Sequence, residues 1–339
     1  MTPLATVSVI IPSDNRCAVI RTTIKRLVAQ DYPAERMEIL VVDSSRDKTP
    51  AMVEVLARDS AVPVRLLSSD AWMPAIKRNR GLRAAVGDLV VFLDEDVWVG
   101  PDFVATHVAA HAQFAEPVAV LGHVGQSPQG SAAPFAEWYQ PFPYQELAHL
   151  AGQPVPWQYS SSRNLSMPRQ FMLDRNLLFH EDEAEIGHED VELGYRWCKA
   201  GHQIIYVPAA HGENHASHDL ASACRRHAAV GRAVRDLEPL VPEPGLPARF
   251  GIVTSEASFR EHARMAARRA LVNAATAPPL ERALPRLPRR SRVAEWCYRQ
   301  LLLRHTRLGY HAPRPPAQDG RTQHHSWNDA SAALEPVNA

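Results

Sequence analysis

Apolar and polar positions alternate regularly through the first hundred residues of the chain. Short apolar runs predict β-strands, and the run at 88–93 is apolar on both faces, as a central parallel strand should be. Between these runs, apolar residues recur at helical spacing. The predicted strands are 7–11, 38–42, 64–67 and 88–93, and the predicted helices are 16–30, 49–58 and 74–86. This alternation indicates an α/β fold, with a Rossmann-like, mostly parallel sheet flanked by helices.

The pattern is less regular after Val118. Segment 127–156 is rich in proline, glycine and aromatic residues, and a long loop of this composition is typically functional or mobile. Aromatic side chains in and just after this segment suit stacking against a sugar or an aromatic or lipid acceptor, with core packing expected for about half of them. These candidates are Trp138, Tyr139, Phe142, Tyr144 and Trp157.

Regular patterns return in the second half of the chain. The predicted elements are a helix at 189–200, a strand at 203–207 that Pro208 ends, and helices at 218–236, 256–275 and 292–308. The last two helices lie in an arginine-rich segment, which suits a solvated face or contact with anionic lipid or a partner. The tail after Pro313, including His324 and His325, is expected to be disordered.

Charge and cysteine content narrow the possible functions. The 339 residues include 37 basic and 37 acidic side chains, so the net charge gives no reason to expect nucleic acid as a partner. No run approaches the roughly 18 apolar residues of a spanning helix, and the first residues do not resemble a signal peptide. The four cysteines form no CxxC pair, which argues against a zinc ribbon or a disulfide framework. We therefore expect a cytoplasmic protein, with at most peripheral contact at the inner face of the membrane.

An acidic cluster, Asp94-Glu95-Asp96, follows the apolar run at 88–93. Ligands of open α/β sheets gather at the carboxyl ends of strands, and strand alternation would place Asp94 and Asp96 on the same side. Adjacent carboxylates repel one another unless a cation joins them, and oxygen ligands suit Mg²⁺ or Mn²⁺. A solvated acidic turn is the alternative interpretation of these three residues alone.

A second acidic pair, Glu189-Asp190, lies at the start of a predicted helix. A carboxylate near a hydroxyl group can take its proton as a general base. Acidic residues also favour helix N-termini because of the helix dipole, so the pair taken alone leaves both interpretations open.

Several segments together resemble the inverting glycosyltransferases of family 2, which have the GT-A fold, over residues 6–235. The segments are VSVIIPSDN, EILVVDSSRDKT, KRNRGLRAAVGDLVVFLDEDV, SSRNLSMPRQFM and GHEDVELGYRWCKAGHQIIYVP. The resemblance implies a GT-A domain at 1–236, with a nucleotide-sugar half at 1–125 and an acceptor half at 126–236. A helical extension at 237–312 and a tail at 313–339 would follow.

The resemblance also implies roles for residues on the donor side. Pro12 and Ser13 would border the nucleotide pocket, and Asp43 would hold the base or ribose. The residues implied to face the nucleotide or its phosphates are Lys77, Arg78 and Asn79. Asp43 is followed by Ser44 and Ser45 where the family usually has a second acid, so the base or ribose would be held differently here.

The remaining implied roles concern the metal and the reaction. Asp94 would approach the ribose and the metal, Asp96 would bind the metal directly, and Asp190 would be the catalytic base, with Glu189 positioning the acceptor or supporting the base. A histidine is implied as a further ligand, and His215 is preferred over His211 and His218. Arg163 stands where the family often has glycine, which would let its side chain project into the acceptor side.

These roles predict the transfer of a sugar from a nucleotide-sugar to a hydroxyl of a saccharide, lipid-linked or natural-product acceptor. Mn²⁺ or Mg²⁺ would stabilise the leaving diphosphate, and one displacement would invert the anomeric centre. A dehydrogenase is disfavoured because the first turn has no GxGxxG, and a nucleotidyltransferase because that turn lacks a glycine-rich basic signature. A catalytically silent nucleotide-sugar-binding or scaffold protein of the same fold is the remaining alternative.

Overall fold

A computed structural model describes residues 4–127, 134–181, 188–216, 219–243, 245–253, 257–286 and 291–313 of the protein. Contacts divide this part of the chain into two units. The described residues of the first unit are 4–127, 142–181 and 189–216, and those of the second are 134–141, 188, 219–243, 245–253, 257–286 and 291–313.

One mixed β-sheet forms the centre of the first unit. Its described strands are β1 (Val7–Ser13), β2 (Met37–Asp43), β3 (Val64–Ser68), β4 (Leu89–Leu93), β5 (Val97–Val99), β6 (Ala119–Gln126), β7 (Pro154–Val155), β8 (Asn164–Pro168) and β9 (Ile204–Asn214). The order is β3–β2–β1–β4–β8–β6–β9–β5, and β7 pairs with β9. The pairs from β3 to β4 are parallel, whereas β8 is antiparallel to β4 and β6. The carboxyl ends of β1, β2 and β4 therefore meet the start of β8 at one edge.

Helices flank the sheet in the first unit, and other helices form the second unit. The described helices are α1 (Cys17–Val28), α2 (Thr49–Arg58), α3 (Pro74–Ala84), α4 (Phe103–His111), α5 (Pro134–Trp138), α6 (Arg169–Asp174), α7 (Glu189–Lys199), α8 (Leu220–Leu237), α9 (Leu246–Arg249), α10 (Phe259–Leu271), α11 (Ala277–Ala283) and α12 (Arg292–His311). The elements predicted within residues 7–93 are all present, because their apolar residues pack into one buried core. Ile20, Ile24 and Leu27, for example, form the buried face of α1.

The strand predicted to end before Pro208 is longer than expected. β9 continues through Pro208 to Asn214, and its register with β6 shifts between Gly122 and His123. The irregular pairing leaves Pro208 free of a regular ladder bond, which is how a sheet accommodates a residue that has no N–H. The prediction that Pro208 stops the strand was therefore wrong.

The proline-rich segment 127–156 is also more structured than a plain loop where the structure describes it. It contains α5, a 3₁₀ helix at Tyr144–Leu150 and the short strand β7. Tyr139 and Tyr144 are buried, whereas Trp138 and Phe142 are only partly covered, as is Trp157 just beyond the segment. Core packing thus accounts fully for two of the five aromatic candidates.

The second unit is a group of helices around its own apolar core. Helix α8 packs along α12, and a Cβ atom added at Gly231 would lie 1.9 Å from the carbonyl oxygen of Thr306. Only glycine permits so close an approach of two helix backbones. The predicted boundary after residue 236 differs from this division, because α8 belongs with α12. Among the described helices, none combines the length and apolarity needed to cross a bilayer.

Some predictions fall outside the described residues. They concern His218, the start of the predicted helix at 256, and the tail from residue 314 with His324 and His325. Helix α8 begins instead at Leu220, where the Asp219 side chain accepts a hydrogen bond from the backbone N–H of Ser222 at 2.6 Å. Such a cap satisfies one of the free N–H groups of a helix start.

Candidate active site

A buried arginine joins the two acidic motifs of the first unit. Arg78 projects from α3, and its Nη2 lies 2.9 Å from Asp94 Oδ1 while its Nη1 lies 2.8 Å from Glu189 Oε1. Burial would lower the pKa of Arg78, but the carboxylates of Asp94 and Glu189 raise it above its ordinary value. The turn after β4 and the first turn of α7 therefore lie around one guanidinium group.

A second arginine approaches the same acid. Leu93 pairs with Asn164 across β4 and β8, which brings Arg163 beside Asp94. Arg163 Nε lies 3.6 Å from Asp94 Oδ2, and the backbone N–H of Asp94 donates to the Arg163 carbonyl at 3.3 Å. The guanidinium group expected on the acceptor side thus contacts the acidic turn.

Asp190 is fixed by hydrogen bonds from neutral groups. Its Oδ2 accepts from the backbone N–H of Ser162 at 3.0 Å and from the Ser162 hydroxyl at 3.4 Å, and its Oδ1 accepts from the N–H of Val191 at 2.9 Å. Burial, and next the charge of Glu189, raise the pKa of Asp190 to about 6. Such a carboxylate is ionised at neutral pH and can still accept a proton.

Asp96 and His215 are neighbours because β5 pairs with the end of β9. The backbone N–H of His215 donates to the Asp96 carbonyl at 2.9 Å, and the imidazole stacks on Trp98 with the ring centroids 3.4 Å apart. Among the described residues, the buried His215 Nε2 has no hydrogen-bond partner, and it lies 3.6 Å from Glu213 Oε2. Burial, and next the charge of Asp94, raise the pKa of Asp96.

This donor set has the chemistry that a divalent cation requires. Crowded carboxylates and an imidazole nitrogen are ligands for Mn²⁺, and the carboxylates also suit Mg²⁺. In the described part of the chain, the ligand atoms of Asp94, Asp96 and His215 do not all lie within 4.8 Å of one another. Asp94 is directed instead towards the two arginines. The residues fit a cation, and Asp94 would exchange an arginine contact to join it.

The donor-side residues meet at the carboxyl ends of β1 and β2. Pro12 and Ser13 end β1, and Ser13 pairs with Asp43 at the end of β2. Lys77 Nζ donates to the Ser13 carbonyl at 2.6 Å, and burial lowers the pKa of this lysine. Burial also raises the pKa of Asp43, whose Oδ1 accepts from the Ser45 hydroxyl at 2.6 Å. The sheet therefore gathers the residues predicted to surround a nucleotide, except Asn79.

Asn79 does not fit its predicted role. Its amide nitrogen donates to the Phe179 carbonyl at 2.8 Å and to Glu181 Oε1 at 2.7 Å, and its oxygen accepts from the Phe179 N–H at 2.9 Å. These bonds satisfy both N–H groups and the oxygen of the amide, so no donor remains for a phosphate. We therefore correct the expectation that Asn79 faces the nucleotide: its contacts hold the segment around Phe179 against α3.

Sequence reasoning missed Ser162 and Trp98 as residues that shape the site, and it did not predict the contacts of His211 and Glu95, which it had named. Ser162 orients Asp190, Trp98 stacks on His215, and His211 stacks on His123 with ring centroids 5.3 Å apart. Glu95 accepts from the backbone N–H of Asp14 at 3.3 Å, and burial raises its pKa to about 8. Contacts between residues far apart in the chain bring these groups together, so periodicity could not have revealed them.

Comparisons with known proteins show which families and folds this chain resembles. The chain matches the model of glycosyl transferase family 2 over residues 8–163. It is 30% identical over 213 residues to validoxylamine A glucosyltransferase of Streptomyces hygroscopicus subsp. jinggangensis, covering 56% of this chain and 50% of that protein. Uncharacterized glycosyltransferase YfnE of Bacillus subtilis is 26% identical over 263 residues, covering 61% and 65%. The chain spans about half the length of the first of these relatives.

Two solved structures share the fold. The mannosyltransferase PcManGT of Pyrobaculum calidifontis, in complex with GDP-Man and Mn²⁺, has a TM-score of 0.59 at 20% identity, covering 91% of this chain and 88% of that chain. Staphylococcus aureus TarS has a TM-score of 0.51 at 17% identity, covering 90% and 55%. These similarities confirm the predicted GT-A fold, and the family match confirms the predicted resemblance. Residues 8–163 of the chain are therefore similar to glycosyl transferase family 2.

Proposed function

We propose that the protein is a metal-dependent, inverting glycosyltransferase that moves a sugar from a nucleotide-sugar to an acceptor hydroxyl. The observation that carries this proposal is the pair of contacts from Arg78 to Asp94 and Glu189. They bring the residues proposed for donor and metal binding next to those proposed for proton transfer. A transferase needs both groups in one site, because the leaving diphosphate and the attacking hydroxyl react at the same carbon.

The donor would bind at the carboxyl ends of β1, β2 and β4. Pro12, Ser13 and Asp43 would contact the base and ribose, and Lys77 and Arg78 would offset the charge of the diphosphate. PcManGT was solved with GDP-Man and TarS with UDP-GlcNAc, which supports a nucleotide-sugar as the donor class.

A divalent cation, Mn²⁺ or Mg²⁺, would be held by Asp94, Asp96 and His215. When bound, it supplies positive charge that stabilises the diphosphate as negative charge develops on its oxygen. Arg163, beside Asp94, adds a fixed positive charge to the same region. Mn²⁺ in the PcManGT complex supports this choice of metal.

Asp190 would act as the general base. Its carboxylate takes the proton of the acceptor hydroxyl, whose oxygen attacks the anomeric carbon from the face opposite the diphosphate. The bond from that carbon to the diphosphate oxygen breaks in the same displacement, so the configuration inverts. Glu189 would orient the acceptor hydroxyl beside the base, and no covalent intermediate on the protein is needed.

The acceptor is a saccharide, a lipid-linked sugar or a natural product with a free hydroxyl. The name of validoxylamine A glucosyltransferase supports a small natural product as one member of this class. We propose that the protein works in the cytoplasm, at most touching the inner face of the membrane through its arginine-rich helices.

The test combines donor binding with turnover in three proteins. Thermal shifts are measured with UDP-, GDP- and dTDP-sugars with and without Mn²⁺, because a bound ligand raises the melting temperature by mass action. The wild type should show a metal-dependent shift and slow release of nucleoside diphosphate with water as acceptor. Asp96→Ala should lose the metal-dependent shift, whereas Asp190→Asn should keep it and release no diphosphate. A shift without turnover in the wild type would contradict the proposal and indicate a silent binding protein.

A further inference from the structure

Three side chains with metal-binding atoms converge within the second unit. They are Cys224 on α8, Glu281 on α11 and His305 on α12, and one ligand atom of each lies within 4.8 Å of the other two. In the part of the chain that the structure describes, no other group of three such residues meets this criterion. The family 2 match ends at residue 163, well before all three.

The surroundings of these side chains are those of a partly buried site. Cys224 is a free thiol that is only 4% exposed, and it belongs to the apolar core of the second unit. Glu281 and His305 lie closer to the surface, with His305 Nε2 2.9 Å from Glu281 Oε1. The sulfur thus lies on the inner side of the cluster, and the oxygen and nitrogen lie on its outer side.

The donor set favours zinc over the cations expected at the acidic turn. Sulfur, nitrogen and oxygen donors together suit Zn²⁺, whereas Mg²⁺ and Mn²⁺ prefer oxygen. A thiolate and a carboxylate carry two negative charges, which would balance Zn²⁺ in a partly buried place. The ion would replace the proton shared by His305 and Glu281, and the thiol proton would leave to solvent.

We propose that Cys224, Glu281 and His305 bind one Zn²⁺ ion that links helices α8, α11 and α12. Water would complete the tetrahedral coordination, as it does where zinc has three protein ligands. The ion would tie α11, a short helix with two prolines, to the two long helices of the second unit. This site shares no residue with the proposed transferase site, so either proposal can fail without the other.

The test measures zinc in the full chain, purified without a histidine tag and desalted in excess Mg²⁺ to occupy oxygen-rich sites. The wild type should retain about one zinc ion per chain. Cys224→Ser and His305→Gln should each lower zinc affinity by more than the roughly 10–100-fold that losing an outer-shell partner costs. Cys297→Ser is the matched control, because Cys297 is a buried cysteine of the same core outside the cluster, and this variant should retain zinc.

Cobalt substitution of the wild type tests the site even if a variant fails to fold. Co²⁺ bound by a thiolate gives a charge-transfer band in the near ultraviolet, and the tail beyond residue 313 contains no cysteine that could produce it. The band should appear in the wild type and in Asp96→Ala. A wild type without the band, zinc retained in Cys224→Ser, or zinc lost in Asp96→Ala would each overturn the proposal.

Discussion

Asp94 and Asp190 lie near the same guanidinium group, but their direct partners differ. Asp94 is flanked by two arginines, Arg78 at 2.9 Å and Arg163 at 3.6 Å. Asp190 is held by a hydroxyl and two backbone N–H groups, which are neutral donors. Fixed positive charges therefore neutralise the first acid, whereas the second is oriented without being neutralised.

This difference separates two roles that residue type alone leaves open. A carboxylate whose charge is matched by neighbouring cations is suited to binding the donor and its metal, because its charge is already part of an ion-pair network. A carboxylate that is fixed by neutral donors and has a pKa of about 6 is suited to proton transfer. We therefore expect substitutions on the two sides of Arg78 to separate binding from turnover.

The largest effect is expected from Asp190→Asn. Asparagine keeps the size and an acceptor oxygen of the side chain but cannot take a proton, so kcat should fall by about 10²–10⁴ while donor affinity stays within a fewfold. The measurement is steady-state release of nucleoside diphosphate, with donor binding measured in parallel. Asp59→Asn, an exposed acid at the end of α2, is the control and should keep wild-type kcat. Full activity of Asp190→Asn would remove Asp190 from the reaction.

Arg78→Met tests whether the ion pairs from Arg78 to Asp94 and Glu189 hold the acidic turn next to α7. Arg78 is only 4% exposed, and its loss leaves two partly buried carboxylates without their cation. Removing one partner of such a network should lower the free energy of unfolding by about 3 kcal/mol, measured by urea denaturation.

Arg83→Met is the matched control for that substitution. Arg83 lies on the same helix and pairs with Glu181 at 3.5 Å, but both side chains are largely exposed. Its loss should cost less than about 1 kcal/mol. Equal effects of the two substitutions would show that the buried bridge contributes no more than a surface pair.

The accuracy of the sequence-based predictions also differs between regions. Helix α2 was predicted at 49–58 and is observed there, and β1 to β4 were found because each contains a short run of mostly apolar residues. Strand β8 was missed because buried Ser166 and Asn164 interrupt its apolar pattern. Both bind the ring of His107 on α4, at 2.8 and 2.9 Å. A partner 57 or more residues away in the chain cannot be read from local periodicity.

The same limit applies to the candidate site. The acids were identified from their positions after strands and at a helix start, and Lys77 from the resemblance to the family. The motifs did not indicate that Arg78 contacts Glu189, which is 111 residues away, or that the amide of Asn79 is fully bonded to its neighbours. Whether a polar side chain faces a ligand depends on which partners the fold has already given it.

A smaller effect is expected from His215→Gln, which tests the metal-binding role proposed for the residues near Asp94. Because His215 is proposed as a direct ligand, loss of its Nε2 should weaken Mn²⁺ binding by at least the roughly 10–100-fold that losing an outer-shell partner costs, without changing the configuration of the product. The measurement is Mn²⁺ titration by the thermal shift of the donor complex. His211→Gln is the control, because the His211 ring stacks on His123. This substitution should leave Mn²⁺ affinity unchanged. A stronger effect of His211→Gln would transfer the ligand role to that residue.

The smallest effect, and the one specific to Asp190, is the pH dependence of kcat/KM. Burial raises the pKa of Asp190 to about 6, so its carboxylate gains a proton as the pH falls through that value. Because only the ionised form accepts a proton, kcat/KM, which reports the free enzyme, should fall about tenfold per pH unit below 6 and level off above 7. The residual activity of Asp190→Asn should lack the acidic limb, and a limb that persists in this variant would assign the titration to another group.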